Sequence, residues 1–383
     1  MKFIQMLLAF VAISVMNAAD LTIICLHPGP AGHFADFTKV LDKEKISYQV
    51  VAAEKGAEEL KKRQISFIEF KRDVLLKDLP PTEAAAAAEK ILKLTAGSQK
   101  ILLDVGNPFA ATILQNLKNT TVETIAYYDN PESLVEGGYS ESVSLVLPKV
   151  QKVFFANKNL ASTPIFIHKN QPISYTAHPY GIGYCDMADV ENIARLHGQH
   201  KTSPQEKVLV YVGGANDKYY TAGITTFLKL LTEASQKHDL SRFHVIFRQH
   251  GRALQEGNID GKLIQEWKKN APNMAPRLTF SDTKESFNEA IAKADVLAYF
   301  QTSASPKFVL AGIPVMQISS EKMEDAAVDT GACPRVEDAE VFLAELIRLS
   351  ESKDYPQETK DKIRAKIGYD TAWAQNFVQA LNK

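Results

Sequence analysis

The chain has 383 residues, and its 44 Lys and Arg nearly balance 45 Asp and Glu, for a formal net charge of −1. This length, with 45% hydrophobic residues, predicts a globular protein of about two or three domains. The positive charges are scattered without a long basic run, which excludes broad binding to nucleic acid.

The first nineteen residues differ in character from the rest of the chain. Lys2 precedes an apolar run from Phe3 to Met16, and the small residues Ala18 and Ala19 stand before Asp20. This layout predicts that residues 1–19 are a signal peptide or a membrane leader, with a buried N-terminal strand or helix as the alternative. We therefore expect a periplasmic or secreted protein, or one that contacts a membrane through an uncleaved leader.

Short β-rich runs alternate with amphipathic stretches after the leader, which is typical of parallel-sheet α/β architecture. In residues 20–178 this pattern predicts strands at Leu21–Cys25, Tyr48–Ala52, Ile65–Phe70, Ile101–Val105, Thr124–Tyr127 and Val153–Ala156, with helices at Phe34–Leu41, Ala57–Arg63, Glu83–Leu94, Phe109–Leu117 and Ser140–Lys149. The Pro- and Gly-punctuated residues 179–204 are predicted to be a linker. A second α/β series fills residues 205–350, and two helices follow in residues 351–383. The fold class is thus α/β, with two Rossmann-like doubly wound domains.

The loop after the first strand is the first candidate for chemistry. Gly29 and Gly32 would let the backbone approach an acceptor closely. His33 is a candidate general base or acceptor-binding group, because its ordinary pKa lies near neutral pH. A surface or N-capping histidine remains the alternative.

Asp104 and Asn107 follow the strand that begins at Ile101. The carboxyl ends of strands in open α/β sheets collect ligands, so Asp104 is a candidate acid or base and Asn107 a candidate acceptor contact. The alternative is that both cap the helix that follows.

The second half carries two similar loops. Gly213 and Gly214 after an apolar strand have the form of a ligand-approach loop, or else of a solvated turn. Arg248 and His250 end the next strand and suit a diphosphate, because guanidinium binds phosphate oxygens in a fixed fork. The alternative is a cationic surface loop.

The segment from Thr302 to Pro314 predicts a hydroxyl-rich loop, a short helix and a stop. Ser305 is expected to be the N-cap and Pro306 the first helical residue, with Gly312 ending the helix. The hydroxyls of Thr302, Ser303 and Ser305 with free backbone N–H groups would receive phosphate. A solvent-capped crossover helix is the alternative.

No metal site or cofactor is expected. Cys25, Cys185 and Cys333 are widely spaced, and none falls in a metal-ligand spacing.

The second half resembles the nucleotide-binding domain of GT-B glycosyltransferases and the related sugar-nucleotide epimerases. The resemblance rests on Gly213-Gly214, on Arg248-Gln249-His250, and on the hydroxyl-rich loop with Gly312-Ile313-Pro314. The loop ending in His33 looks like the glycine-rich loop of the N-acetylglucosaminyltransferase that completes lipid II. The resemblance implies an acceptor domain followed by a donor domain, with C-terminal helices crossing back to the first. It also implies a nucleotide-sugar or other phosphate donor as substrate, and a glycan or lipid acceptor.

Lys307 departs from this pattern, since many of these enzymes place a Glu or Asp there to hold the nucleotide ribose. A lysine in the first helical turn also opposes the helix dipole. The hypothesis is that Lys307 pairs with a phosphate or a sugar acid, with a solvated lysine as the alternative.

The leading function is therefore metal-independent transfer of a sugar from a phosphate donor, with His33 and Asp104 as acid–base groups; epimerisation is the less favoured enzymatic reading. The rival is an exported, catalytically silent GT-B-like module that binds an envelope glycan or anionic metabolite.

Overall fold

The computed structural model describes residues 19–383, except 134–137, 163–165, 170, 186, 201–202, 204, 215–217, 251–258, 272, 275–276, 283, 320–324 and 353, and it describes the backbone alone at 138 and 218–220. Apart from Ala19, the leader lies outside the described residues. In the part of the chain that is described, no helix is both long and apolar enough to cross a membrane. The chain divides into two compact units: residues up to 129, 135–185 and 370–383 form the first, and residues 130–134 and 186–369 the second.

The first unit contains a seven-stranded parallel sheet in the order β3-β2-β1-β4-β5-β6-β9. Its strands are apolar along most of their length because helices cover both faces of such a sheet, and β1 is buried at every residue. The elements are β1 (Leu21–Cys25), α1 (Ala31–Glu44), β2 (Tyr48–Ala53), α2 (Glu54–Lys62), β3 (Ile68–Phe70), α3 (Pro81–Leu94), β4 (Lys100–Asp104), α4 (Phe109–Asn116), β5 (Glu123–Tyr128), α5 (Gly138–Val146), β6 (Lys152–Phe155), the hairpin β7 (Ile167–His168) and β8 (Gln171–Pro172), and β9 (His178–Gly181).

The second unit contains a six-stranded parallel sheet in the order β12-β11-β10-β13-β14-β15. Its elements are α6 (Met187–Gln199), β10 (Lys207–Val212), α7 (Lys218–Lys237), β11 (Phe243–Arg248), α8 (Ile259–Asn270), β12 (Leu278–Phe280), α9 (Phe287–Ala292), β13 (Val296–Tyr299), α10 (Ser305–Leu310), β14 (Val315–Ile318), α11 (Ala326–Asp329), β15 (Arg335–Val336), α12 (Ala339–Ser350) and α13 (Gln357–Lys366). The predicted α/β fold class, with two Rossmann-like domains, is confirmed.

Several boundaries differ from the sequence predictions, and three of the differences concern the predicted linker and the candidate site loops. The segment assigned to a linker carries most of β9 and all of α6. α1 begins at Ala31 rather than Phe34, because Pro30 already has helical backbone angles as the N-cap. α10 likewise begins at Ser305 with Ala304 as its N-cap, so Ser305 is not the capping residue. Gly312 ends α10 as predicted, with a φ of 86° that favours glycine.

The last helix, α14 (Trp373–Asn382), belongs to the first unit, whereas α13 belongs to the second. The chain therefore returns to the first unit after α13. α14 packs on α1 through the stacked rings of Phe37 and Phe377, whose centroids are 4.1 Å apart at an interplanar angle of 10°. Both side chains are fully buried.

The strand order of each sheet reverses once, between β1 and β4 in the first and between β10 and β13 in the second. Connections leave such a point in opposite directions, so a crevice opens beyond the carboxyl ends of the two strands. Four of the five loops that the sequence singled out follow β1, β4, β10 and β13 and lie at these two points, whereas the loop of Arg248 and His250 follows β11.

Removing the Phe377 ring should weaken the packing of α14 on α1. We expect Phe377→Ala to lower the free energy of unfolding by about 3–5 kcal/mol, through lost burial and the cavity left beside Phe37. Urea denaturation measures the loss. Gln379→Ala on the exposed face of the same helix is the control, and an equal loss in both variants would show that the ring does not dock the helix.

Candidate active site

Asp104 organises the crevice at the carboxyl end of the first sheet. It ends β4 and is fully buried. Its Oδ2 accepts hydrogen bonds from the backbone N–H of Leu26 at 2.6 Å and of His27 at 3.2 Å, and its Oδ1 accepts one from Gly106 N–H at 3.2 Å. One carboxyl group thus fixes the loop after β1 and the loop after β4.

Burial raises the pKa of Asp104 to about 7, although its three N–H donors favour the charged form. The nearby charge of Asp129 raises the same pKa further. This side chain is fully buried and bonded to backbone, so Asp104 positions the two loops, and its role as an acid or base stays a prediction.

His27 lies in the loop that Asp104 holds. Its Nδ1 accepts a hydrogen bond from Gly29 N–H at 3.2 Å, which assigns the ring proton to Nε2 in the neutral form. The ring packs so closely on Gly106 that a Cβ there would lie 2.6 Å from Cγ of His27. The imidazole is therefore held in one orientation and one tautomer.

Asp129, which directly follows the end of β5, is the third polar residue at this edge of the first sheet. The Tyr139 hydroxyl donates to Asp129 Oδ1 at 2.5 Å. Burial raises the pKa of Tyr139 well above its ordinary value, with the charge of Asp129 adding to it, so this hydroxyl stays a donor. A Cβ on Gly29 would lie 2.5 Å from Asp129 Oδ2 and 3.1 Å from His27 Nδ1. Gly29 is thus the residue that lets both groups converge.

Asn107 and Glu54 form further hydrogen bonds at the same edge of the first sheet. Asn107 Oδ1 accepts from Phe109 N–H at 3.0 Å, just before α4, whose N-cap is Pro108. Its Nδ2 donates to Glu54 Oε2 at 3.4 Å, and the other oxygen of Glu54 accepts from Leu76 N–H. Glu54 holds a φ of 53°, and burial raises the pKa of its carboxyl group.

His33 lies inside α1 and is 3% exposed, while Gly32 beside it is buried too. The Nδ1 of His33 is 2.8 Å from the Tyr127 hydroxyl and 3.0 Å from Cys185 Sγ. A base that takes a substrate proton must come within hydrogen-bond reach of it. His33 is therefore neither a surface nor an N-capping histidine, and its role as a general base stays a prediction.

The edge of the second sheet brings Gly213 next to Arg248. Gly213 N–H donates to Arg248 O at 2.9 Å, and a Cβ on Gly213 would lie 2.9 Å from Cζ of Phe247. Gly214 is partly exposed, and residues 215–217 after it lie outside the described residues. His250 is exposed, two residues beyond the strand end.

The guanidinium of Arg248 contacts only neutral acceptors through its Nη atoms. Nη1 donates to Ser281 Oγ and Nη2 to Glu285 O, both at 3.2 Å. Its buried Nε has no hydrogen-bond partner in the described part of the chain. Burial lowers the pKa of Arg248, an effect that the Glu285 charge opposes. The geometry suits an anion beside this side chain.

Residues 301–305 between β13 and α10 form what we term the hydroxyl loop. Thr302 Oγ1 accepts from Ala304 N–H at 3.2 Å, and Ser303 is exposed. Ser305 is fully buried, and its hydroxyl donates to Asp325 Oδ1 at 3.1 Å. Ser305 therefore points inward, which corrects its assignment as a phosphate ligand.

Lys307 forms an ion pair with Asp189 of α6, with 3.2 Å between Nζ and Oδ2. The side chains are 16% and 18% exposed. The ammonium is thus paired within the protein and mostly buried, and its predicted contact with a phosphate or a sugar acid stays a prediction. The carboxylate also explains how a lysine is tolerated at the start of α10.

The sequence interpretation missed His27, Asp129, Tyr139 and Asp325. Asp129 stands two residues after a predicted strand and His27 two residues before Gly29, so the position of each near a strand end was a usable signal. Tyr139 and Asp325 reach their partners only through the tertiary fold. In the described residues, no three His, Cys, Asp or Glu side chains are grouped so as to hold a metal ion.

No family model matches this sequence, and no curated protein matches it. Solved structures are similar to it in fold. The UDP-GlcNAc 2-epimerase from Neisseria meningitidis bound to UDP-GlcNAc is 14% identical, with a TM-score of 0.65 over 94% of this chain and 99% of that chain. The S. aureus MnaA–UDP co-structure is 12% identical, with a TM-score of 0.64 over 94% of each chain. A glycosyltransferase from Rickettsia africae is 11% identical, with a TM-score of 0.59 over 96% and 98%. The chain has the GT-B fold that these proteins share.

The raised pKa of Asp104 predicts a pH-dependent stability. Between about pH 4, where an unfolded aspartate ionises, and about pH 7, the folded protein binds more protons than the unfolded chain. Stability should therefore fall as the pH rises through this window, by up to roughly 4 kcal/mol from this group. Urea denaturation of wild type and Asp104→Asn across pH 4–8 isolates the contribution, since the variant lacks this titration. Asp73→Asn, at an exposed site, should keep the wild-type slope. Parallel curves for wild type and Asp104→Asn would contradict the assignment.

Proposed function

We propose that this chain acts on a sugar nucleotide and transfers the sugar to an acceptor hydroxyl without a metal. The observation that carries the proposal is the convergence of His27, Asp129 and Tyr139 at the strand-order reversal of the first sheet. Two of the similar structures are complexes with UDP and with UDP-GlcNAc, which supports a uridine nucleotide sugar as the first substrate to test.

In this proposal Asp129 replaces His33 as the general base. Its carboxylate takes the proton of the acceptor hydroxyl while the acceptor oxygen bonds to the anomeric carbon. The bond from that carbon to the donor phosphate oxygen breaks, and its electron pair stays on the phosphate. The Tyr139 hydroxyl holds the base in place, and Asp104 fixes the loop that carries His27.

The phosphate-binding role belongs to the second unit. Arg248 is the cation we assign to the diphosphate, since its Nε–H needs an acceptor and its other contacts are neutral. A guanidinium so placed would stabilise the negative charge that grows on the leaving phosphate. Gly213 and Gly214 supply backbone that a ligand can approach closely.

Epimerisation is the second candidate, favoured by one feature of the first unit. His27 and Asp129 both converge on Gly29, so two proton-transfer groups lie together, as inversion of a carbon by proton removal and return requires. Incubation with UDP-GlcNAc in D₂O separates the reactions by NMR. Deuterium gain at a sugar carbon indicates epimerisation, whereas UDP release that depends on an added acceptor indicates transfer.

A silent binding module is the third candidate, favoured by the internal contacts of Ser305 and Lys307, because phosphate would compete there with Asp325 and Asp189. The module would be exported or held at a membrane by the leader. A mature N-terminus near Asp20 in a soluble exocytoplasmic fraction, with no turnover of any nucleotide sugar, would favour this candidate over transfer.

Replacing the base should abolish most turnover without affecting nucleotide binding. We expect Asp129→Asn to lower kcat by about 10²–10⁴, because a positioned proton acceptor contributes about that factor. UDP affinity, measured by isothermal titration, should stay within about twofold. Asp73→Asn is the control for loss of an aspartate charge. Unchanged kcat in Asp129→Asn would remove Asp129 from the mechanism.

Removing the Arg248 guanidinium should weaken nucleotide binding. We expect Arg248→Met to raise the Kd for UDP by about tenfold or more, the loss of a charge-assisted hydrogen bond to phosphate. Arg242→Met is a matched control because Arg242 directly precedes the same strand that Arg248 ends. Equal Kd values in the two variants would exclude Arg248 as a phosphate ligand.

A further inference from the structure

A buried carboxylate lies under the hydroxyl loop of the second unit. Asp325 is 1% exposed, and its Oδ1 accepts from the Ser305 hydroxyl at 3.1 Å and the Tyr299 hydroxyl at 3.2 Å. The same oxygen accepts from Ala327 N–H at 2.9 Å and so caps α11. Gln317 Nε2 lies 3.5 Å from Oδ2. This group joins the end of β13, the start of α10 and the start of α11.

The hydroxyl loop is shaped by these contacts and by a turn of its own. Ser305 N–H donates to Thr302 O at 3.3 Å, and Ala304 N–H to Thr302 Oγ1. Within the described residues, no group accepts from the backbone N–H of Thr302 or Ser303, and the exposed Ser303 hydroxyl has no protein partner. The loop therefore offers a ligand three donors that have no acceptor among the described residues. α10 has six residues, and its own N-terminus is not part of this argument.

We propose that Asp325 is the positioning residue of the hydroxyl loop, whose ligand contacts are the Thr302 and Ser303 N–H groups and the Ser303 hydroxyl. Ser305 acts only through Asp325. The identity of the ligand, the phosphate end of a nucleotide sugar, rests on the proposed function. The buried bonds order the loop before the ligand arrives, so binding does not have to supply that ordering free energy. The donors on Oδ1 also offset the carboxylate charge that would otherwise repel phosphate.

Asp338 is a matched control for Asp325. It caps α12 through the N–H groups of Glu340 at 3.0 Å and Val341 at 2.9 Å, and no serine hydroxyl bonds to it in the described part of the chain. Loss of either cap should destabilise the protein to a similar degree. Only loss of Asp325 should loosen the hydroxyl loop.

The experiment compares Asp325→Ala, Ser305→Ala, Ser303→Ala and Asp338→Ala in the full chain. The readouts are thermal stability, hydrogen exchange of residues 301–304 and the Kd for UDP. We expect Asp325→Ala and Ser305→Ala to speed loop exchange and to raise Kd about tenfold, the loss of about one strong hydrogen bond. Ser303→Ala should raise Kd without speeding exchange, and Asp338→Ala should lower stability alone. Asp325→Asn, which keeps an acceptor oxygen, should restore loop exchange.

Three outcomes would overturn the assignment: unchanged loop exchange in Ser305→Ala, a Kd in Asp338→Ala that rises as much as in Asp325→Ala, or no effect of Ser303→Ala on Kd. Failure of the proposed function has a different signature. There the wild type would bind no UDP, while Asp325→Ala and Ser305→Ala still speed loop exchange and Asp338→Ala does not. That result keeps Asp325 as the positioning residue and removes the nucleotide.

Discussion

The reversal of strand order in each sheet is the constraint on which the rest of the molecule depends. At β1 and β4, and again at β10 and β13, neighbouring loops leave in opposite directions and open a crevice. Backbone N–H groups in such loops have no sheet partner, yet those near the core still need an acceptor. Each unit meets this need with a buried carboxylate, Asp104 in the first and Asp325 in the second. Loops that a parallel sheet cannot hold are thus held by side chains.

Asp104 and Asp325 differ from Asp129 in how deeply the carboxyl group is buried and in which groups donate to it. Burial raises the pKa of both Asp104 and Asp325, while backbone N–H donors lower it. Such groups are fully used inside the protein, so a substrate does not reach them. Asp129 is only partly buried and accepts from a side-chain hydroxyl, and for this reason it is the base in the proposed function. A carboxyl group whose pKa burial raises therefore need not be the proposed reacting group.

The architecture was predictable because periodicity is local. Apolar runs and their spacing predicted the strands, and chain order placed the glycine and hydroxyl loops at carboxyl ends of strands. Side-chain partners were not predictable in the same way. The ion pair of Lys307 joins residues that are 118 positions apart in the sequence. His33 contacts Cys185, which is 152 positions away in the sequence. One error was local: the backbone of Pro30 starts α1 early and carries His33 into the buried face of the helix.

In the proposed function, the partners of Lys307 and Arg248 decide which of these two cations attracts the phosphate. A cation paired with a carboxylate contributes little net attraction, so Lys307 beside Asp189 mainly fixes α10 against α6. Arg248 differs because its hydrogen bonds go to a hydroxyl and a carbonyl, which orient the guanidinium without neutralising it. In the proposed function, Arg248 and the N–H groups of the hydroxyl loop supply direction more than bulk charge. The proposal thus has a chain with a net charge of −1 select a phosphate through donors that are held in place before the ligand binds.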